Sequence, residues 1–190
     1  MGERECKVFY KALNPSKARE ELLRHKKYVD GIAFDDENIS ILRDLISVMR
    51  DVYGKDYEVV LIGSKNTLMQ ALDALSNEDT KVLVALDNLG DLDEFIQKCG
   101  DYENIELGIT VVKPAINLTH LIKHKVKFAV MPPTLIRGRL ISEAKARKIS
   151  IIANPVNDIA TYARLLELGV NAIITTDPTI KREARKILKL

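Results

Sequence analysis

Eight short apolar runs, beginning 22 to 26 residues apart and each followed by an amphipathic stretch, limit this chain to very few folds. The runs start at Cys6, Gly31, Tyr57, Lys81, Ile105, Lys127, Ile149 and Asn171. Several, such as KVLVAL over 81–86, are apolar on both faces, the pattern of a strand covered on both sides in a parallel sheet. Parallel neighbours need a crossover between them, and the intervening stretches have helical periodicity. Helices are expected over Ser16–Tyr28, Ile39–Val52, Thr67–Leu75, Leu92–Cys99, Leu118–His124, Arg139–Arg147, Ile159–Leu168 and Ile180–Leu188. Eight such units predict an α/β chain folded as a compact (β/α)8 TIM barrel, one domain over residues 1–190. A doubly wound open sheet is the alternative. No sequence repeat accompanies the spacing, so the regularity is structural.

The clearest unit is Ile149–Pro178, ISIIANPVNDIATYARLLELGVNAIITTDP. Two strands flank the helix Ile159–Leu168, and Gly169 stands where a left-handed C-terminal stop is expected. Asp158 precedes this helix and Asp177-Pro178 precedes the last one, the arrangement of an N-cap and of a cap plus proline. An aspartate cap uses the free helix N–H groups and repels an anion, so both read as helix starters rather than phosphate loops.

At 46% hydrophobic and 29% charged residues, the composition is that of a globular protein with a sizeable core. No apolar run reaches the roughly 20 residues of a membrane helix, and MGERECKV lacks a signal-peptide core. A cytoplasmic protein with no membrane partner is therefore expected. Cys6 and Cys99 are far apart and flanked by no metal box, so both read as reduced thiols. The absence of Trp and the Lys/Glu/Arg/Ile/Leu-rich make-up resemble proteins of thermophiles.

Barrel active sites lie at the C-terminal ends of the strands. Here those ends hold Lys11, Asp35 with Asp36, Ser64 with Lys65, Asp87 with Asn88, Lys113, Thr134, Asn154, and Thr175 with Thr176. Asp35 and Asp87 are the candidates to hold a divalent cation, Mg²⁺ or Ca²⁺. With Lys113 they form the candidate catalytic set. Lys11, Lys65, Asn154 and Thr176 are the candidates to bind a small phosphorylated ligand. Lys113 follows LGITVV and, if desolvated, could form a Schiff base. His25 lies in a lysine-rich helix end. His120 and His124 are spaced i, i+4 on an outer helix, where a solvated basic helix end is the expected reading. No histidine falls at a strand end, so histidine acid–base catalysis has no candidate.

Residues 153–158, Ala-Asn-Pro-Val-Asn-Asp, and Leu165–Pro178 together resemble the end of the glycerophosphodiester phosphodiesterase family, close to V-W-T-V-N-D…LL-LGVDGIITDxP. Val29–Asp35, VDGIAFD, is similar to that family's A-D-G-I-E-x-D. The resemblance implies the barrel and a phosphate-ester ligand with a divalent cation. The departures are specific. Tyr10-Lys11-Ala12 stands in place of a catalytic His-Arg-Gly, and the strand-two metal-binding glutamate falls on Ala33, leaving Asp35. No second histidine follows strand two or three, and the tryptophan position is Asn154. The matching residues pack strands and cap helices, so the resemblance implies the fold without the family's acid–base chemistry.

Two functional readings follow. One is an enzyme or binding protein for a small phosphorylated ligand at the strand ends. The other is a non-catalytic barrel serving as an RNA-associated or assembly subunit, motivated by the basic stretches His120–Lys127 and Lys181–Lys189.

Overall fold

The computed structural model describes residues 6–76, 78–99, 104–113 and 118–188, and the eight expected strand–helix units are present in it. The strands are β1 Lys7–Tyr10, β2 Gly31–Phe34, β3 Glu58–Gly63, β4 Lys81–Leu86, β5 Ile105–Thr110, β6 Phe128–Met131, β7 Ser150–Ala153 and β8 Ala172–Thr175. The helices are α1 Pro15–His25, α2 Ile39–Tyr53, α3 Lys65–Leu75, α4 Leu92–Cys99, α5 Leu118–Lys123, α6 Gly138–Ala146, α7 Ile159–Leu168 and α8 Ile180–Leu188. All strand pairs are parallel and consecutive, and β1 closes on β8 with Lys7 opposite Ala172 and Tyr10 opposite Thr175. The molecule is a (β/α)8 barrel. The open-sheet alternative is excluded by that closing pair.

Side chains alternate along each strand, so the barrel has two cores. One set, including Val8, Ile32, Phe34, Val59 and Leu61, packs outward on helix residues such as Leu22, Leu42, Met49 and Leu72. The other fills the interior, where the two large rings of Phe9 and Phe128 are accommodated by small neighbours at Ala33, Ala85 and Ala172. Gly108 belongs to the same fit: a Cβ there would lie 2.4 Å from the Phe128 ring. The Phe128 ring therefore lies directly against the backbone of β5.

The inward position at the start of several strands is charged. Lys7 pairs with Glu58 across β2, and Lys81 pairs with Glu106 at 2.8 Å. Gly31, between Lys7 and Glu58, has no side chain to obstruct that reach, and a Cβ on it would come within 2.1 Å of the Glu58 carbonyl oxygen.

Local caps set the helix boundaries. Asn14 Oδ1 accepts from Ser16 N–H at 3.0 Å, and Gly169 ends α7 in the left-handed region at φ 78°. Ser64 caps the third helix, which therefore starts at Lys65, two residues before the expected Thr67. The first helix stops at His25 rather than Tyr28, because residues after it turn to bring Tyr28 N–H onto the His25 carbonyl.

Asp158 Oδ1 accepts Thr161 N–H at 2.7 Å, and that backbone donor holds its carboxyl below the usual range. A depressed folded-state pKa means the stabilisation is present above the unfolded value of about 3.9 and disappears as pH falls through the folded one. In Asp158→Ala the melting temperature is expected to drop at pH 7 and to converge on that of the parent in strong acid. Equal differences at both pH values, by circular dichroism, would refute the cap.

Burial governs two further groups. His25 is 8% exposed, and burial lowers its pKa, which favours the neutral imidazole. Cys6 is buried and its thiol is pushed up to about 12, which keeps it protonated and inert. The Cys99 side chain lies outside the described residues. Among the described residues no helix is long and apolar enough to cross a membrane.

Candidate site at the C-terminal mouth of the barrel

Strand alternation decides which end residues turn inward. Phe9, Ala33, Ile152 and Ile174 are interior residues, so the positions two further on, Lys11, Asp35, Asn154 and Thr176, face the mouth. They directly follow β1, β2, β7 and β8, which are contiguous in the closed barrel. Four of the seven expected site residues thus form one crescent.

The crescent is held by backbone and loop hydrogen bonds. Lys11 N–H donates to the Thr175 carbonyl at 2.8 Å, and Asn154 N–H donates to the Met131 carbonyl at 3.0 Å. Asn157 Oδ1 accepts from Thr176 N–H at 2.9 Å and from the Thr175 hydroxyl at 3.1 Å, tying the loops after β7 and β8 together. Asp177 Oδ1 accepts from Thr179 N–H at 2.8 Å, as a helix starter does. The Asn154–Pro155 peptide is cis.

Lys11 Nζ donates to Asp35 Oδ2 at 2.5 Å, with each side chain about one-third exposed. The pair also lines a hollow of about 190 Å³ at the β1–β2 edge, bounded by Ala33 and Leu13 and, on the side of α2, by Phe34, Ile41 and Leu45; Asn154 and Thr176 do not line it. Asp36 is occupied by its own loop, accepting from Asn38 N–H at 2.8 Å.

The remaining expected residues lie elsewhere on the rim. Lys65 opens α3, and its ammonium pairs with Glu94 of α4. Asp87 is exposed just past β4, and its N–H donates to the Gly63 carbonyl at 3.1 Å. Two strand spacings of about 4.8 Å separate it from Asp35, roughly 10 Å laterally. Lys113 is exposed beyond β5. It lies on the odd-numbered side, with Ile109 and Val111, which pack toward the helices.

Asp35 is the one carboxylate of this crescent, and Lys11 pairs with it. Mg²⁺ and Ca²⁺ take about six or more oxygen ligands. Asp35 is already neutralised by Lys11, Ala33 supplies no donor, and no cluster of three His, Cys, Asp or Glu residues exists among the described residues.

Among the described residues no acid–base histidine reaches the mouth. His124 Nδ1 lies 3.0 Å from Asp93 on α4, and His25 is buried at the end of α1. The His120 side chain lies outside the described residues. Tyr10, at the histidine position of the resemblance, turns into the helix layer and donates to Glu21. Burial raises its pKa, so the phenol stays protonated. In the basic α8, Lys181 pairs with Asp30, while Arg182 and Lys186 pair with Glu183. Three cations of that cluster are thus engaged within the fold. Thr110 Oγ1 has no partner among the described residues, a buried polar atom that periodicity alone could not flag.

The fold and this mouth place the chain among small (β/α)8 barrels, and its structural neighbours include glycerophosphodiester phosphodiesterases. No protein-family model and no curated protein matches the sequence. A phosphodiesterase of Oleispira antarctica, solved with its product sn-glycerol-3-phosphate, is similar with a TM-score of 0.72 at 11% identity, covering 97% of each chain. A glycerophosphodiester phosphodiesterase of Parabacteroides distasonis is similar at a TM-score of 0.70 and 12% identity, over 97% of this chain and 98% of that one. The dihydropteroate synthase of Yersinia pestis also matches, at 0.64 and 11% identity, over 97% and 92%. At such identities the likeness is one of fold.

Proposed function

We propose that the protein binds a small phosphate ester in the mouth formed by β7, β8, β1 and β2, with Lys11 as the anion-binding group. The observation that carries this reading is the Lys11–Asp35 pair, an inward ammonium held at the rim of a hollow by a carboxylate. A phosphate can take the remaining ammonium donors, while the Asn154 amide and Thr176 hydroxyl stand on the same crescent. A glycerol phosphate, the product bound in the Oleispira enzyme, is the ligand class we propose for the mouth. The chemistry proposed is binding, because among the described residues no histidine stands at the mouth to act as acid and base, and Lys11 and Asp35 are engaged with each other.

Calorimetric titration with sn-glycerol-3-phosphate tests this. Lys11→Ala is expected to weaken binding by about tenfold to a hundredfold, the value of one charge-assisted hydrogen bond of roughly 1.5–3 kcal/mol. Lys65→Ala, which breaks only the pair with Glu94, is expected to leave affinity within about twofold. Unchanged affinity in Lys11→Ala would overturn the assignment. Added Mg²⁺ should leave the melting temperature unchanged. A shift that disappears in Asp35→Ala would restore a metal role.

A further inference from the structure

The opposite end of the barrel carries a cavity of about 440 Å³. Its floor is the apolar interior at Phe9, Leu83 and Ile152. On one side the charges cancel: Lys7 is paired with Glu58, and Lys81 with Glu106. On the other side stand Lys145 at the end of α6, Ser150 at the start of β7 and Asn171 before β8. Lys145 has no ion-pair partner among the described residues. Asn171 Oδ1 accepts Ile151 N–H at 2.9 Å, which fixes the orientation of the amide and leaves its NH₂ as a donor. The Ser150 backbone N–H donates to the Lys127 carbonyl at 2.9 Å, and its hydroxyl remains to meet a ligand.

We infer that this cavity is a second binding site, for a small polar organic anion bearing a carboxylate or phosphate. A wall of donors faces a wall whose charges are already neutralised, so an entering anion gains Lys145 and loses nothing opposite. Three lysines against two glutamates leave the lining net positive. The low-dielectric floor strengthens that field. Cations gain no such advantage, because both carboxylates are already paired. The site lies at the far end of the barrel from Lys11 and does not depend on the mouth assignment.

The test uses the full chain carrying Lys11→Ala, which removes the mouth site. Citrate and inorganic phosphate are titrated separately while backbone amides are followed by NMR, so that the two anion types are told apart. Either anion is expected to shift the Ser150, Val170 and Asn171 amides. Lys145→Ala should weaken that response about tenfold and Lys145→Arg should retain it. Ser150→Leu, which fills the cavity beside the donors, should abolish it while the far-UV circular dichroism is unchanged. Shifts absent from these amides with both anions, or undiminished in Lys145→Ala, would overturn the inference.

Discussion

Gly31→Ala is expected to cost about 3 kcal/mol or more, enough to leave a substantial unfolded fraction in a fold of ordinary marginal stability. The added Cβ would meet the Glu58 carbonyl oxygen at 2.1 Å and its carbon at 2.9 Å. Those are backbone atoms of the paired strand, so no rotamer change relieves the contact. β2 and β3 would have to separate where Glu58 N–H donates to the Asp30 carbonyl at 3.3 Å, and the Lys7–Glu58 pair spans the same point. Gly138→Ala is the control. A Cβ there meets open space, the nearest atom being a Leu168 methyl at 3.8 Å, and the residue opens α6. That change should be neutral or stabilising by up to about 1 kcal/mol. Urea unfolding of the two variants would decide the matter, and equal midpoints would refute the close approach.

The buried pair of Lys181 and Asp30 gives the second large effect. Lys181 is 6% exposed and its ammonium lies 3.6 Å from Asp30 Oδ2, which also accepts Val8 N–H at 2.7 Å. Asp30→Ala removes both interactions and strands the ammonium, at an expected cost of about 3 kcal/mol. Lys181→Met removes the charge and keeps most of the packing. Asp30 retains Val8 N–H and some solvent there, so the cost should be about 1 kcal/mol or less. In the Lys181→Met background, Asp30→Ala should then cost only the lost hydrogen bond, about 1 kcal/mol. A double-mutant cycle in urea measures the difference. Equal costs of Asp30→Ala in the two backgrounds would show that Lys181 does not depend on the carboxylate.

The barrel was legible because its signals are local. Apolar runs, Gly169 and the caps at Asn14 and Asp158 each act within a few residues of themselves, and together they place the strands and the order of the helices. Part of the mouth was legible for a related reason. Once a run such as Val8–Tyr10 is a strand, alternation turns Lys11 inward. What could not be read depends on contacts between distant elements. Lys65, expected at the mouth, pairs with Glu94 on the next helix, a contact the sequence does not display. Lys181 and His25 lie in charged helices that read as solvated, yet packing of α8 and α1 against the barrel buries both. Lys7 with Glu58, and Lys81 with Glu106, stand on different strands, and only barrel closure brings them together as paired charges around a cavity.

The interior cluster of Phe9, Val60, Ile62, Leu83, Ala85, Phe128, Val130, Ile152 and Ile174 packs between the two ends of the barrel, and Phe9, Leu83 and Ile152 of it floor the lower cavity. These side chains are buried, so each end of the barrel opens to solvent on its own side. Ligands at the two ends should therefore bind with additive free energies, and neither should alter the apparent affinity of the other.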